Sequence, residues 1–143
     1  MVRPVLSLVI PVFNEEAVLP ELSERLCSFL GKVHVTWEVV FVDDGSSDRS
    51  RAMLASICEK EPRFKLVALS RNFGHQVAIT AGIDYARGEA VVVMDADLQD
   101  PPEVVGEMLA RFHEGFEVVY GVRLRREREG WFKRGTAALF YRL

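Results

Sequence analysis

Two aspartates separated by one alanine, Asp95-Ala96-Asp97, follow an unbroken apolar run over residues 91–94. In extended backbone, residues two apart point the same way, so both carboxylates project together. Such a pair offers hard oxygen ligands to Mg2+ or Mn2+. Gln99 adds a neutral carbonyl oxygen two residues beyond Asp97. Two other strand-like stretches, apolar apart from Ser7 and Glu38, also end in polar or acidic clusters: residues 5–12 lead to Asn14-Glu15, and residues 37–42 lead to Asp43-Asp44. Asp43 and Asp44 are adjacent, so at an extended strand end at most one of them faces a shared crevice squarely. Crowded carboxylates repel unless a cation lies between them. The chemistry indicated is a divalent cation with a phosphorylated ligand. Neither a P-loop nor a Gly-x-Gly-x-x-Gly fingerprint is present, so the phosphate falls to metal and arginines. Arg71 is either a partner for a diphosphate or a surface-loop arginine. His75 reads as structural or exposed, since no nucleophile stands near it in the pattern.

These clusters need strands and helices to position them. The run over 91–94 reads as a strand buried on both faces, as in a parallel sheet. Further strands are expected over 5–12, 37–42, 64–69 and 116–120. Helices fall between them. Asn14 is expected to cap the first, with Glu15 and Glu16 in its first turn. That helix carries the stripe Val18, Leu19, Leu22, Leu26, Phe29 and Leu30 and stops at Gly31. Gly45 suits a tight turn before a second helix capped by Ser46 or Ser47, with Asp48 in its first turn. A third helix sets Ala78, Ala81, Gly82, Tyr85 and Ala86 on one face, close to the sheet, and stops at Gly88. Asp100 is expected to cap a fourth helix starting at Pro101 and Pro102, with Val104, Val105, Met108, Leu109 and Phe112 inward. Alternating strands and helices indicate a Rossmann-like, doubly wound, mainly parallel α/β sheet. Open sheets of this kind bind ligands beyond the carboxyl ends of the strands, where all three clusters fall.

Of the 143 residues, 49% are hydrophobic, enough for a core and against disorder. Residues 1–120 hold 11 Lys/Arg against 19 Asp/Glu, whereas residues 121–143 hold 7 against 2. The acidic body argues against a nucleic-acid partner. The basic tail suits an anionic partner, either phosphates or a membrane surface, or is a solvated helix. Its apolar residues Trp131, Phe132, Leu139, Phe140 and Leu143 either pack on the sheet or lie on an anionic membrane. Cys27 and Cys58 fall in helices and read as buried reduced thiols, without metal-ligand spacing. No signal peptide opens the chain and no apolar run nears the roughly 20 residues of a membrane span. One domain is expected, with an α/β body over 1–122 and, over 123–143, a basic amphipathic tail that belongs to the same domain.

Five stretches, in order, resemble the inverting family 2 glycosyltransferases with the GT-A fold. They are Val9-Ile10-Pro11-Val12-Phe13-Asn14-Glu15-Glu16, Val42-Asp43-Asp44-Gly45-Ser46, Ser70-Arg71-Asn72-Phe73-Gly74, Ala81-Gly82 with Ala86-Arg87-Gly88, and Asp95 through Glu103. Tyr120-Gly121-Val122-Arg123 and Trp131-Phe132-Lys133-Arg134 extend the match over nearly the whole chain. Within the family the chain is most similar to polyprenyl-phosphate glycosyltransferases and dolichyl-phosphate mannose synthases.

The resemblance implies transfer of a hexose from a nucleotide diphosphate sugar, with uridine diphosphate glucose favoured, to a polyprenyl phosphate with inversion. Alternatives are a nucleotide-sugar-binding fragment without turnover, or a family 2 transferase acting on a polysaccharide. It implies that Pro11, Phe13 and Glu15 line the nucleotide pocket and that Asp44, or else Asp43, binds the base. Asp95 then lies against ribose and metal, and Asp97 and Gln99 hold the Mg2+ or Mn2+. Arg123, and less directly Arg126 and Arg128, meet a phosphate. Family members continue with a Gly-Asp-Phe-type segment and, in the polyprenyl-phosphate enzymes, membrane helices. The chain is therefore expected to be the N-terminal portion of a longer enzyme at the cytoplasmic face of a membrane, soluble as this portion alone. A Toprim-like nucleic-acid enzyme and a receiver-type signalling domain share an acidic cluster. The acidic body opposes the first, and the pair after the second rather than the first strand opposes the other.

Overall fold

The computed structural model describes residues 2–122; Arg123, Arg126, Arg128 and the rest of the basic tail lie outside the described residues. Four parallel strands form one sheet: β1 (Leu6–Val12), β2 (Trp37–Asp43), β3 (Phe64–Ala68) and β4 (Ala90–Val93), in the order β3-β2-β1-β4. Helices α1 (Leu19–Leu30), α2 (Ser50–Lys60), α3 (His75–Tyr85) and α4 (Val104–His113) connect or follow them. The strand order reverses between β1 and β4. That reversal opens a crevice beyond their carboxyl ends.

Alternation along the strands sends side chains to two cores. Leu6, Leu8, Ile10, Trp37, Val39 and Phe41 pack with Leu22 and Leu26 of α1, Leu54 of α2 and Val105 of α4. On the other face, Val9, Val40 and Val42 pack with Ala78 of α3. The expected small face of α3 works as a close contact. A side chain on Gly82 would sit 2.3 Å from Val9 Cγ1 and 3.0 Å from Val42 Cγ2. Tyr85 leaves that face and is exposed, because it is the last residue of the helix. Gly88 does not cap α3, which ends at Tyr85; it lies tight against Ser7, whose hydroxyl accepts its N–H at 2.7 Å.

Three other expectations are corrected. β4 is not buried on both faces: Val91 and Val93 are each 40% exposed. The cause is that α3 packs over β1 and β2, leaving that face of β4 uncovered among the described residues. Residues 116–120 form no strand among the described residues, and Phe116, Val118 and Tyr120 stay exposed. Their alternation is strand-like, but no strand among the described residues pairs with them. Cys27 is exposed because it falls beside the buried row Leu19, Leu22, Leu26 and Leu30 of α1. Cys58 is half-buried as a free thiol, and burial pushes it up to about 11.

Candidate functional site

The loops after β1 and β2 are stitched together, which fixes the floor of the crevice. Asn14 adopts the left-handed conformation (φ 52°). Its Oδ1 accepts the N–H of Ser47 at 2.8 Å and of Asp48 at 3.3 Å. Ser46 Oγ accepts the Asn14 N–H at 3.0 Å, and Ser50 Oγ accepts the Glu15 N–H at 2.9 Å. Asn14 is thus not the cap expected of it. The helix begins only at Leu19, with Pro20 in its first turn. Ser46 and Ser47 do not cap α2 either; Asp48 Oδ1 accepts the Ser50 N–H at 2.9 Å and does that work.

The two aspartates after β2 part company. Asp43 is fully buried and pairs with Arg51 Nε at 2.8 Å, away from the crevice. Arg51 in turn donates to the carbonyl of Leu69. Asp44 is 3% exposed and reaches the crevice. Its Oδ1 accepts the Phe73 N–H at 2.8 Å and its Oδ2 accepts the Gly74 N–H at 3.2 Å. Gly45 is needed for this arrangement. At φ 69°, any side chain there would lie 2.3 Å from the carbonyl carbon of Arg71 and 2.4 Å from the nitrogen of Asn72.

Asp95 and Asp97 flank Ala96, which is 4% exposed, and both carboxylates face solvent. Asp97 Oδ1 accepts the Gln99 N–H at 3.1 Å, closing a turn in which Leu98 takes the left-handed conformation (φ 59°). His75 Nε2 stands 3.5 Å from Asp95 Oδ1. α4 opens at Val104 with Glu103 in the cap position, not at Pro101. The carbonyls of Pro101 and Pro102 accept from Val104 and Val105 in a turn ahead of it.

One cavity of about 440 Å3 collects most of these groups. Pro11, Phe13, Glu15, Asp44, Asp95 and Asp97 line it, as do Asn72, Gly74, His75 and Ala78. Asp43, Arg71 and Gln99 are not among its lining residues. The Arg71 guanidinium lies instead over the Phe73 ring, 4.1 Å from its centre. Asn72 and His75 were missed or discounted in the sequence, although they follow the carboxyl end of β3 as the other clusters follow theirs. The carboxylates feel one another: burial, and then the charges of Asp97 and Asp48, push the Glu15 carboxyl above its usual range. Among the described residues, no three His, Cys, Asp or Glu side chains are grouped to hold a metal ion unaided. Mg2+ and Mn2+ are commonly bound by one or two carboxylates with phosphate oxygens completing the shell, and Asp95 with Asp97 fits that donor set.

Residues 7–142 match the family described as glycosyl transferase family 2. Over 137 residues the chain is 53% identical to an uncharacterized glycosyltransferase, YkcC, of Bacillus subtilis strain 168, covering 96% of this chain and 42% of that protein. It is 44% identical over 142 residues to the undecaprenyl-phosphate 4-deoxy-4-formamido-L-arabinose transferase of Enterobacter sp. strain 638, with 96% and 42% covered. The chain thus spans well under half the length of these curated relatives. The mannosyltransferase PcManGT of Pyrobaculum calidifontis, solved in complex with GDP-Man and Mn2+, is similar with a TM-score of 0.54 and 26% identity, covering 71% of this chain and 34% of that one.

Proposed function

This chain belongs to glycosyl transferase family 2 and has the GT-A fold, and from that premise we propose that it binds a nucleotide diphosphate sugar and passes the sugar to a polyprenyl monophosphate with inversion. Uridine diphosphate glucose is the donor we favour. The observation that carries the reading is the convergence of Glu15, Asp44, Asp95 and Asp97, from three strand ends, on one cavity. The names of relatives such as the Enterobacter transferase support the lipid phosphate acceptor. Among the described residues no helix is long and apolar enough to cross a membrane. We take the reaction to run at the cytoplasmic face of a membrane, where the basic residues of 123–143, Arg123 among them, supply charge for a lipid phosphate.

Pro11 and Phe13 wall the nucleoside, and Asp44 accepts a base N–H. Asp95 and Asp97 would hold Mg2+ or Mn2+, which as a Lewis acid neutralises charge on the leaving nucleoside diphosphate. A phosphate acceptor is already anionic near neutral pH, so little is asked of a general base.

Calorimetric titration of the full chain with uridine and guanosine diphosphates, each with and without Mn2+, tests the reading. Uridine diphosphate should bind, and bind more tightly with Mn2+. Absence of binding to either nucleotide in the presence of Mn2+ overturns it. Asp44→Ala and Asp43→Ala should then fail differently. The first should weaken nucleotide binding, since it removes a cavity group and the anchor of the loop 73–74. The second should chiefly lower stability, by roughly 1–3 kcal/mol, because a buried partner of Arg51 is lost. Urea melts alongside the titrations separate the two, and equal losses of affinity would show that the wrong aspartate has been assigned.

A further inference from the structure

We infer that the chain carries a second anion site, at the end of the sheet opposite the crevice, which takes the phosphate group of a soluble ligand. A cavity of about 390 Å3 lies there, lined by Val2, Arg3, Pro4, Lys65 and Arg87. Arg3 and Pro4 precede β1, Arg87 precedes β4, and Lys65 is the second residue of β3. The cavity therefore sits at the amino ends of the strands. Open α/β sheets bind their ligands beyond the carboxyl ends. Donor binding thus leaves the three cations of this cavity without a role.

Their charge is held in place and only partly compensated. Lys65 pairs with the buried Glu38 carboxylate. Arg3 and Arg87 have no such partner. Arg3 Nε donates to the Arg87 carbonyl at 2.8 Å, and Glu38 Oε1 accepts the Arg87 N–H at 2.6 Å. The backbone of residue 87 is fixed from both sides and holds the Arg3 guanidinium beside it. The terminal NH2 groups of Arg3 and the whole Arg87 guanidinium have no partner among the described residues. Asp84 and Glu89, the acidic residues nearest Arg87 in sequence, do not line the cavity. Cations gathered in this way repel unless an anion lies between them. Guanidinium forks match phosphate oxygens with paired hydrogen bonds, and Lys65 adds a point charge. A carboxylate offers only two oxygens to three cationic groups, so phosphate is the better fit.

A phosphate group comes either from a lipid headgroup or from a soluble ligand. The choice of source, though not the site itself, rests on the lipid acceptor proposed above. β1 is seven residues long, so the two ends of the sheet lie roughly 20 Å apart. A membrane against the amino ends would face away from the crevice that a polyprenyl phosphate must reach. A soluble phosphorylated ligand meets no such conflict.

Inorganic phosphate is the probe, added to the isotope-labelled full chain with chelator present and chloride balancing the ionic strength. Without metal the carboxylates of the crevice repel phosphate, which keeps the two ends of the sheet distinct. The Arg3 Nε–H and the backbone amides of Arg87 and Gly88 should shift along one saturable curve. The amides of Phe73 and Gly74, at the crevice, should stay in place. Arg87→Gln keeps both backbone bonds of residue 87 and should weaken phosphate binding at least roughly tenfold, as loss of a charge-assisted bond implies. Arg87→Lys should recover part of that loss, by charge without the fork. Shifts no larger than those from chloride, or equal affinity in Arg87→Gln, overturn the site and leave nucleotide binding at the crevice untouched. Flotation with phosphatidylglycerol vesicles tests the source. Wild type and Arg87→Gln should float alike, because any pull from the basic tail is common to both. Flotation that falls in Arg87→Gln would overturn the soluble source and give the cavity to a lipid headgroup.

Discussion

Asp97→Asn in the full chain should remove the Mn2+-dependent part of uridine diphosphate binding, a loss of tenfold or more. The substitution suits the question because the local turn should survive it. Asp97 Oδ1 accepts the Gln99 N–H at 3.1 Å, and an asparagine oxygen can take the same bond. Ala96 stays buried between the two carboxylates and keeps the segment seated. What changes is the charge and one hard oxygen ligand. A second readout follows from the crowding. The charge of Asp97 is one cause, after burial, of the raised Glu15 carboxyl. Removing it should let Glu15 titrate lower, toward but not fully to the ordinary range, because burial remains. Carbon-detected NMR titration of the Glu15 carboxyl measures this without any nucleotide. Mn2+-dependent affinity that survives in Asp97→Asn would exclude Asp97 as a ligand, whatever Glu15 does.

The sheet and most of the residues that line the candidate cavity were legible in the sequence because their signals are local. Apolar runs marked four strands, the leucine row of α1 marked its buried face, and the clusters after β1, β2 and β4 fell at one edge of the sheet. The misses share a different cause: they depend on partners far along the chain. Asn14 looks like a helix cap, yet its carboxamide is spent on Ser47 and Asp48 across the neighbouring loop. Asp43 and Asp44 look alike in sequence, and only Arg51 on α2 and the amides of Phe73 and Gly74 tell them apart. The run 91–94 is apolar enough for a central strand, but which helix covers it is a matter of tertiary arrangement. His75 lacked a nucleophile nearby in sequence; its neighbour in space is Asp95, 20 positions on.

Glu38 was invisible for the same reason, and replacing it should cost the fold more than any other single polar change in the sheet. It lies in β2, facing the α3 side, and is 3% exposed. Its Oε1 accepts the Ser7 hydroxyl at 2.7 Å and the Arg87 N–H at 2.6 Å, and its other oxygen pairs with the Lys65 ammonium. Ser7 Oγ also accepts the Gly88 N–H, so one carboxylate ties β1, β3 and the loop before β4 to β2. Burial pushes the Glu38 carboxyl up, but the bonds from Lys65, Ser7 and Arg87 outweigh it and hold it below its usual range. A depressed carboxyl contributes stability that is present above its unfolded value of about 4.3 and is lost as pH falls through the folded value. Glu38→Ala should therefore cost on the order of 2–4 kcal/mol at pH 7, somewhat below a fully buried pair because Lys65 can turn to water. The difference from wild type should shrink as pH drops below about 4. Glu38→Gln keeps the shape but sets an NH2 group or a neutral oxygen against the Lys65 ammonium, so it should lose stability too. Lys65→Met alone leaves a buried carboxylate without its cation and should lose more than Lys65→Met loses in the Glu38→Gln background. Urea midpoints for the four proteins at pH 7 and at pH 4 complete the cycle. Additive losses at pH 7, with no narrowing at pH 4, would reduce Glu38 to a packing residue and leave the seam between β1, β2 and β3 to its apolar neighbours.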